Sequence, residues 1–266
     1  MHNFYQLARK FISYWLKASN GKGHGIHSPF VYDFVVSVLS DQYSNQPVYQ
    51  KIESIRKKLL RNNDKINILD LGAGSTINNR KERCISSIAR TAAKPSRFGK
   101  LFYRMVKYYN IETVLELGTS LGLSTRYFAE AAPLHGVVTI EGAPALADYT
   151  RNCLKQEGYL QVNVLEGNFD DLLPKVLPAL IGKKLIFVDG NHRYEATKQY
   201  FLQSLPFLGQ DDILIFDDIH WSGGMEKIWS EIKNNQRVTC TVDLFFIGIV
   251  FFRKEFKEKQ DFSIRF

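Results

Sequence analysis

Two segments of the sequence combine an aspartate and a histidine at the same spacing. Asp189 and His192 are three residues apart, and so are Asp217 and His220. Each aspartate follows a run of apolar residues, so both are expected at the ends of buried strands. If the two strands are neighbours in a parallel sheet, about 4.8 Å apart, their terminal carboxylates converge on one spot. Carboxylates that close need a cation, a shared proton or a basic neighbour, and the two histidines are candidates for that neighbour.

The histidines could also act on a substrate directly. Imidazole titrates near neutral pH, so His192 or His220 could remove a proton as general base. The structural alternative is that Asp218 caps a turn and that the histidines only shape a pocket.

A glycine-containing turn follows the apolar run 113–117. It holds Gly118 and Gly122, and a helix is expected to begin near Ser124. Glycine lets the backbone turn sharply and approach a ligand closely, and such a turn is where an open α/β sheet binds cofactors. The G-x-G-x-x-G spacing is absent, which argues against a dinucleotide site.

Glu141 ends the next apolar run, 19 residues after Gly122. A carboxylate at a strand end can accept hydrogen bonds from both hydroxyls of a ribose. The alternative is a surface glutamate, but the position at the end of a strand favours a binding role.

The elements that position these residues are strands alternating with helices. Apolar runs predict strands over 113–117, 136–141, 161–166, 184–189 and 212–216, and a closing hairpin over 238–243 and 247–253. Helical segments separate the first five, which predicts βαβ units and a parallel sheet. We therefore expect a doubly wound α/β fold, with a mostly parallel seven-stranded sheet closed by an antiparallel hairpin.

The first part of the chain has a helical pattern. Helices are predicted over 4–16, 28–39 and 48–60, and Ser28 and Pro29 form a good helix start. The basic amphipathic helix over 4–16 could lie on a membrane, but we expect it to pack on its own domain. We interpret residues 1–95 as a helical extension that covers the mouth of the site, and residues 96–266 as the main domain.

A second glycine turn, with Gly72 and Gly74, lies in residues 66–75. Residues 80–92 behind it are predicted to form a basic helix, with no strand that ends in an acid. The Gly-Lys-Ser/Thr of a phosphate loop is also missing. We expect a structural turn or part of a substrate-pocket wall, with binding of an anionic group as the alternative.

Taken together, residues 96–266 resemble class I S-adenosylmethionine-dependent methyltransferases, in particular small-molecule O-methyltransferases. The whole chain resembles uncharacterised bacterial members with a helical N-terminal extension. The resemblance rests on the glycine turn, Glu141, the segment 165–170, the two Asp/His segments and the hairpin. It implies the Rossmann-like methyltransferase fold and S-adenosylmethionine as cofactor.

The resemblance also implies roles for residues. The glycine turn would cradle the methionine part of the cofactor, Glu141 the ribose, and Asn168 with Phe169 the adenine. The expected cofactor contacts are Glu116, Gly118, Thr119, Ser120, Gly122, Ser124, Glu141, Asn168, Phe169 and Asp189.

The sheet edge at Asp189 and Asp217, which we call the acceptor edge, has two interpretations. Some members of the family bind a divalent cation through an acid after each of two strands, and Asp189, Asp217 and Asp218 match those positions. Magnesium there would lower the pKa of an acceptor hydroxyl. In the other interpretation a histidine is the base. The catalytic candidates are Asp189, His192, Asp217 and His220.

Charge and composition limit the remaining choices. The 266 residues carry a net charge of +8, with 19 Lys and Arg against 6 Asp and Glu in residues 1–110. A small-molecule acceptor is expected. The alternatives are an RNA or other macromolecular methyltransferase, a non-catalytic cofactor-binding protein and an NAD-dependent oxidoreductase. Three scattered cysteines, no secretory pattern and no membrane-spanning run predict a cytoplasmic protein.

Overall fold

Strands alternating with helices govern the architecture, as the apolar runs predict. The computed structural model describes residues 2–19, 21, 23, 26–40, 46–69, 80–92, 94–131 and 133–266. The described residues form these strands: β1 (Lys65–Leu69), β2 (Arg80–Cys84), β3 (Thr113–Leu117), β4 (Val137–Glu141), β5 (Val162–Glu166), β6 (Lys184–Val188), β7 (Ile213–Asp217), β8 (Cys240–Asp243), β9 (Ile247–Phe251) and β10 (Gln260–Ser263). Each predicted strand is present, with bounds that differ by two residues or fewer.

The helices connect these strands or precede them. The α-helices among the described residues are α1 (Phe4–Lys17), α2 (Pro29–Asp33), α3 (Pro47–Arg61), α4 (Ile85–Ala92), α5 (Ser96–Tyr108), α6 (Leu123–Glu130), α7 (Pro144–Gln156), α8 (Phe169–Val176), α9 (Tyr194–Ser204) and α10 (Gly223–Asn234). A π-helix, Phe34–Leu39, continues α2. Ser28 caps α2, as predicted, by accepting a hydrogen bond from the backbone N–H of Val31.

The chain divides into two compact units, one made of residues 1–40 and 183–266 and the other of residues 41–182. In the first unit the strand order is β10-β8-β9-β7-β6. β6 and β7 are parallel, β9 is antiparallel to both β7 and β8, and β10 is parallel to β8. The predicted hairpin is therefore confirmed as β8 and β9.

The second unit contains β3, β4 and β5, which are parallel neighbours. Helices α6, α7 and α8 contact β4. Side chains of α3 and α4 share a buried apolar cluster with the turn after β3, through Tyr49, Ile52, Ile85 and Leu121. The turn is thus backed by helices that precede the sheet in the chain.

The predicted doubly wound α/β sheet is confirmed, but two details of the prediction were wrong. The sheet has one strand more than predicted, because β10 adds to the edge of β8 in the first unit. Residues 80–84 form a strand rather than the start of a helix, because β2 pairs antiparallel with β1. The boundary near residue 95 stays a prediction.

Two further features bear on the setting of the protein. In the part of the chain that the structure describes, every helix is too short or too polar to cross a lipid bilayer. The three cysteines, Cys84, Cys153 and Cys240, are free thiols.

A glycine in α5 provides a test of the packing in the second unit. A Cβ atom on Gly99 would lie 2.2 Å from Cδ2 of Tyr127, a fully buried ring whose hydroxyl donates to Glu53. Gly→Ala in an open helix position usually stabilises by about 1 kcal/mol, but here overpacking should reverse the sign. We expect Gly99→Ala to lower the free energy of unfolding by about 1–3 kcal/mol in urea titrations.

Gly223→Ala is the control, because nothing lies within 4 Å of its Cβ position in α10. It should leave stability unchanged or raise it slightly. A Gly99→Ala protein as stable as the wild type would contradict the packing described for α5 and α6.

Candidate active site

The turn between β3 and α6 is held in a conformation that its glycines allow. Gly118 and Gly122 have positive φ angles of 104° and 70°, and Ser120 between them has φ of 47°. The N–H of Gly118 donates to the carbonyl of Ile140 in β4 (2.9 Å). A Cβ on Gly122 would lie 2.7 Å from Thr150. The predicted glycine positions are therefore required by both backbone conformation and space.

Glu116, at the fourth position of β3, is fully buried. Its Oε2 accepts hydrogen bonds from Thr125 (2.5 Å) and Thr139 (2.8 Å), and its Oε1 accepts one from Ser124. Burial raises the pKa of Glu116 to about 7, although the three hydroxyl donors oppose that shift. The carboxyl group can therefore change its protonation state near neutral pH.

Glu141 ends β4 and bridges two loops. Its Oε2 accepts a hydrogen bond from the N–H of Ser120 (2.8 Å), and its Oε1 accepts one from the N–H of Ala143 (2.9 Å). Burial raises the pKa of Glu141, while these backbone donors lower it. Each carboxylate oxygen has a further lone pair, so Glu141 can still accept hydrogen bonds from a ligand.

Two buried side chains that the sequence analysis missed fix the turn from outside. The guanidinium of Arg126 donates to the carbonyls of Leu121 and Gly122, each at 2.8 Å, and is paired with Glu157. Thr150 donates to the carbonyl of Ser120 (2.7 Å). The position of Arg126 four residues after Gly122, one helical turn on, was the only sequence signal available for this contact.

Asn168 and Phe169 stand at the start of α8, after β5. The side chain of Asn168 is exposed and caps α8 by accepting a hydrogen bond from the N–H of Asp170 (3.2 Å). Phe169 is half-buried. Both lie at the strand end where the sequence analysis expects them, and the cap leaves the amide nitrogen of Asn168 able to donate.

In the first unit, the ends of β6 and β7 bring Asp189, His192 and Asp217 together. One possible ligand atom from each lies within 4.8 Å of the others, so these three side chains could together hold a metal ion. Asp217 is buried, whereas Asp189 and His192 are half-buried. Nε2 of His192 lies 3.7 Å from Asp189 and 3.9 Å from Asp218. Asp218 thus borders the group without belonging to it.

His220 does not join this group. Its Nε2 lies 2.9 Å from Asp243, its Nδ1 lies 3.2 Å from Glu226, and its ring stacks on Phe245. Burial lowers the pKa of His220, but the bonds to Asp243 and Glu226 raise it overall. A carboxylate at each ring nitrogen favours the protonated form of His220, and its role as general base stays a prediction.

The second glycine turn, with Gly72 and Gly74, lies outside the described residues, and so does most of the segment 66–75. Its role as a structural turn or pocket wall stays a prediction. Behind it, β2 leads into α4 without an acid at a parallel strand end.

Comparison with known proteins agrees with the fold. Residues 115–219 match the family described as a methyltransferase domain. The catechol O-methyltransferase of Niastella koreensis is 27% identical over 124 residues, which are 46% of this chain and 55% of that protein. The chain therefore spans about half the length of the curated relative that it matches.

Solved methyltransferases have the same fold. The SAH-bound methyltransferase of Podospora anserina is 14% identical, with a TM-score of 0.57 over 96% of this chain and 98% of that one. The O-methyltransferase TomG of Streptomyces achromogenes, in complex with SAM, is 19% identical, with a TM-score of 0.55 over 84% and 95%. At these identities the likeness shows the fold alone.

The raised pKa of His220 makes a prediction about stability. A histidine whose pKa is higher in the folded than in the unfolded chain stabilises the fold fully below the unfolded pKa of about 6.5, and this contribution is lost as pH rises through the folded pKa. We expect the stability difference between the wild type and His220→Gln to be largest just below pH ~6.5 and to shrink as pH rises through the folded pKa of His220.

Urea unfolding at several pH values measures this difference. His135→Gln, at an exposed position of the second unit, is the control. A difference that grows with pH would show that His220 is neutral in the folded protein.

Proposed function

Since residues 115–219 match a methyltransferase domain, we propose that the protein transfers a methyl group from S-adenosylmethionine to an oxygen atom of a small-molecule acceptor. The proposal rests on which residues of the chain match the methyltransferase-domain family. The matched segment runs from within β3 to two residues past β7. It contains the glycine turn, Glu141 and the group of Asp189, His192 and Asp217, and it ends one residue before His220.

The turn after β3 would hold the methionine part of the cofactor. The methionine part would be surrounded by Gly118, Thr119, Ser120, Gly122 and Ser124. Oε1 of Glu116 accepts a hydrogen bond from the hydroxyl of Ser124 and has a lone pair left for an amino group. A positively charged amino group would favour the ionised form of this buried acid.

The other contacts follow the strand ends of the second unit. Glu141 would accept the ribose hydroxyls, since its backbone partners at Ser120 and Ala143 orient both oxygens without using all their lone pairs. Asn168 and Phe169 would contact the adenine. Bound S-adenosylmethionine supplies a methyl group on a positively charged sulfur, which is a good leaving group.

The residues at the ends of β6 and β7 would prepare the acceptor. The protein has to orient the acceptor oxygen and take up its proton, because positioning and deprotonation are the steps that the cofactor does not provide. Nε2 of His192 is the group proposed to take the proton, with Asp189 3.7 Å away to stabilise the resulting charge. We also propose that Asp189 contacts the cofactor.

A divalent cation is the second way to use this group. The two carboxylates of Asp189 and Asp217 fit a hard cation such as magnesium, and the imidazole of His192 suits manganese better. When bound, the cation would lower the pKa of an acceptor hydroxyl. Asp218 borders the group, so its expected role as a ligand is the least supported of the three.

The acceptor and the setting are proposals as well. The relative from Niastella koreensis is a catechol O-methyltransferase, so we propose a phenolic hydroxyl as acceptor. Free thiols at Cys84, Cys153 and Cys240 support a reducing, cytoplasmic setting. Residues 1–95 are proposed to contribute to covering the substrate.

Cofactor binding tests the central proposal. S-adenosylhomocysteine should bind in calorimetric titrations and raise the melting temperature, whereas NAD should do neither. Glu141→Ala should weaken S-adenosylhomocysteine binding at least about tenfold, because hydrogen bonds to a charged group are worth roughly 1.5–3 kcal/mol.

Glu166→Ala is a matched control, since Glu166 ends β5, pairs in register with Glu141 and is exposed. It should bind S-adenosylhomocysteine as tightly as the wild type. Binding of NAD in place of S-adenosylhomocysteine, or an unchanged dissociation constant for Glu141→Ala, would count against the proposal.

The two interpretations of the acceptor edge give different results with a chelator. If a cation is held, methyl transfer to a catechol acceptor should require Mg²⁺ or Mn²⁺, and Asp217→Asn should abolish both activity and calorimetric metal binding. If His192 is the base, chelation should have no effect and His192→Asn should abolish activity. Asp171→Asn, at an exposed position of α8, is the control. Activity that survives chelator, Asp217→Asn and His192→Asn would exclude both roles.

A further inference from the structure

Helix α1 is attached to the first unit along one side. Phe11 packs edge-on against Phe245, with ring centroids 5.0 Å apart, and Tyr14 donates a hydrogen bond to the carbonyl of Ile264. Lys10 binds both carboxylate oxygens of Glu226 at 2.8 Å. These contacts fix the helix and decide which face points away from the protein.

The opposite side of α1 presents large apolar side chains to solvent. Their exposed fractions are 79% for Phe4, 83% for Tyr5, 59% for Ile12, 43% for Trp15 and 72% for Leu16. At about 100° per residue these five positions fall within an arc of about 120°. They form one continuous stripe, which we call the outer face, rather than scattered surface residues.

The charges around the outer face are positive. Helix α1 contains no Asp or Glu. Arg9 and Lys17 are exposed, and Arg9 borders the outer face beside Tyr5 and Leu16. Arg265 lies over the ring of Trp15, 5.4 Å from its centroid. An anionic surface would therefore complement the basic rim while the apolar stripe leaves water.

These features favour a lipid surface over a second copy of the chain. A symmetric pairing of outer faces would bring Arg9 of each copy into one interface, without an acid on either helix to compensate. Trp, Tyr and Phe beside Arg and Lys are typical of helices that lie at a membrane surface. The 14 residues of α1 span about 21 Å, too short to cross a hydrocarbon core of about 30 Å.

We propose that α1 binds the surface of an anionic phospholipid bilayer through its outer face. The helix lies in the plane of the headgroups, with Phe4, Tyr5, Ile12, Trp15 and Leu16 toward the acyl chains. Arg9 contacts the lipid phosphates, and Arg265 beside Trp15 adds to the basic rim. This binding is independent of methyl transfer.

Vesicle flotation with the full chain tests the proposal. The protein should float with vesicles of phosphatidylcholine and phosphatidylglycerol, more weakly at high salt and much more weakly with phosphatidylcholine alone. Ile12→Glu should reduce partitioning at least about tenfold, because it replaces an apolar side chain that would enter the bilayer by a negative charge that the anionic lipid repels. Leu202→Glu, at a half-exposed position of α9, is the matched control and should bind like the wild type.

Tryptophan fluorescence gives a second readout. Addition of anionic vesicles should shift the emission to the blue in the wild type and not in Trp15→Phe, and melting curves check that each variant is folded. Absence of binding to anionic vesicles, or equal binding by folded Ile12→Glu, would overturn the proposal. So would a wild-type dimer in sedimentation velocity that Ile12→Glu converts to a monomer, since it assigns the outer face to a second copy. None of these readouts requires S-adenosylmethionine or activity.

Discussion

The proposed cofactor site depends on one buried acid, Glu116, and on the hydroxyl groups that satisfy it. Removing a carboxyl group from water is costly, which is why its pKa rises to about 7. Ser124 and Thr125 come from the start of α6, and Thr139 comes from β4. Because these donors belong to different elements, satisfying one acid fixes the beginning of α6 against two neighbouring strands. The turn between β3 and α6 is therefore anchored at both ends.

Glu141 accepts a hydrogen bond from the same anchored turn. The sequence predicts the position of Glu141, but it does not predict the hydrogen-bond partners of Glu141 and Glu116. A strand that ends in an acid is visible as an apolar run followed by Glu, so the position of Glu141 could be predicted. The bond from the N–H of Ser120 could not, because it depends on the positive φ of Ser120 inside the turn. The hydroxyl partner Thr139 was equally hidden, since a threonine within a strand is ordinary.

Strands were predictable where burial selects apolar side chains, and were missed where pairing alone holds them. β3 and β7 are buried at every position and stand out in the sequence. β10 has alternate positions exposed and the polar sequence Gln-Asp-Phe-Ser, so only its pairing with β8 makes it a strand. β2, Arg-Lys-Glu-Arg-Cys, has the composition of a helix, yet its pairing with β1 decides its conformation. Local propensity is a weak guide where a hairpin partner is available.

His192 and His220 each follow an aspartate by three residues, but they lie in different surroundings. The contacts of His220 connect the acceptor edge to α1. Asp218 has φ of 52° and donates its N–H to the carbonyl of Phe246, so the loop after β7 turns toward the hairpin. His220 then meets Glu226, the same carboxylate that binds Lys10 of α1. The N–H of His2, just before α1, donates to the carbonyl of Trp221 in the same loop. A bilayer-bound α1 would thus hold the loop that follows Asp217, because helix and loop share Glu226 and a backbone hydrogen bond.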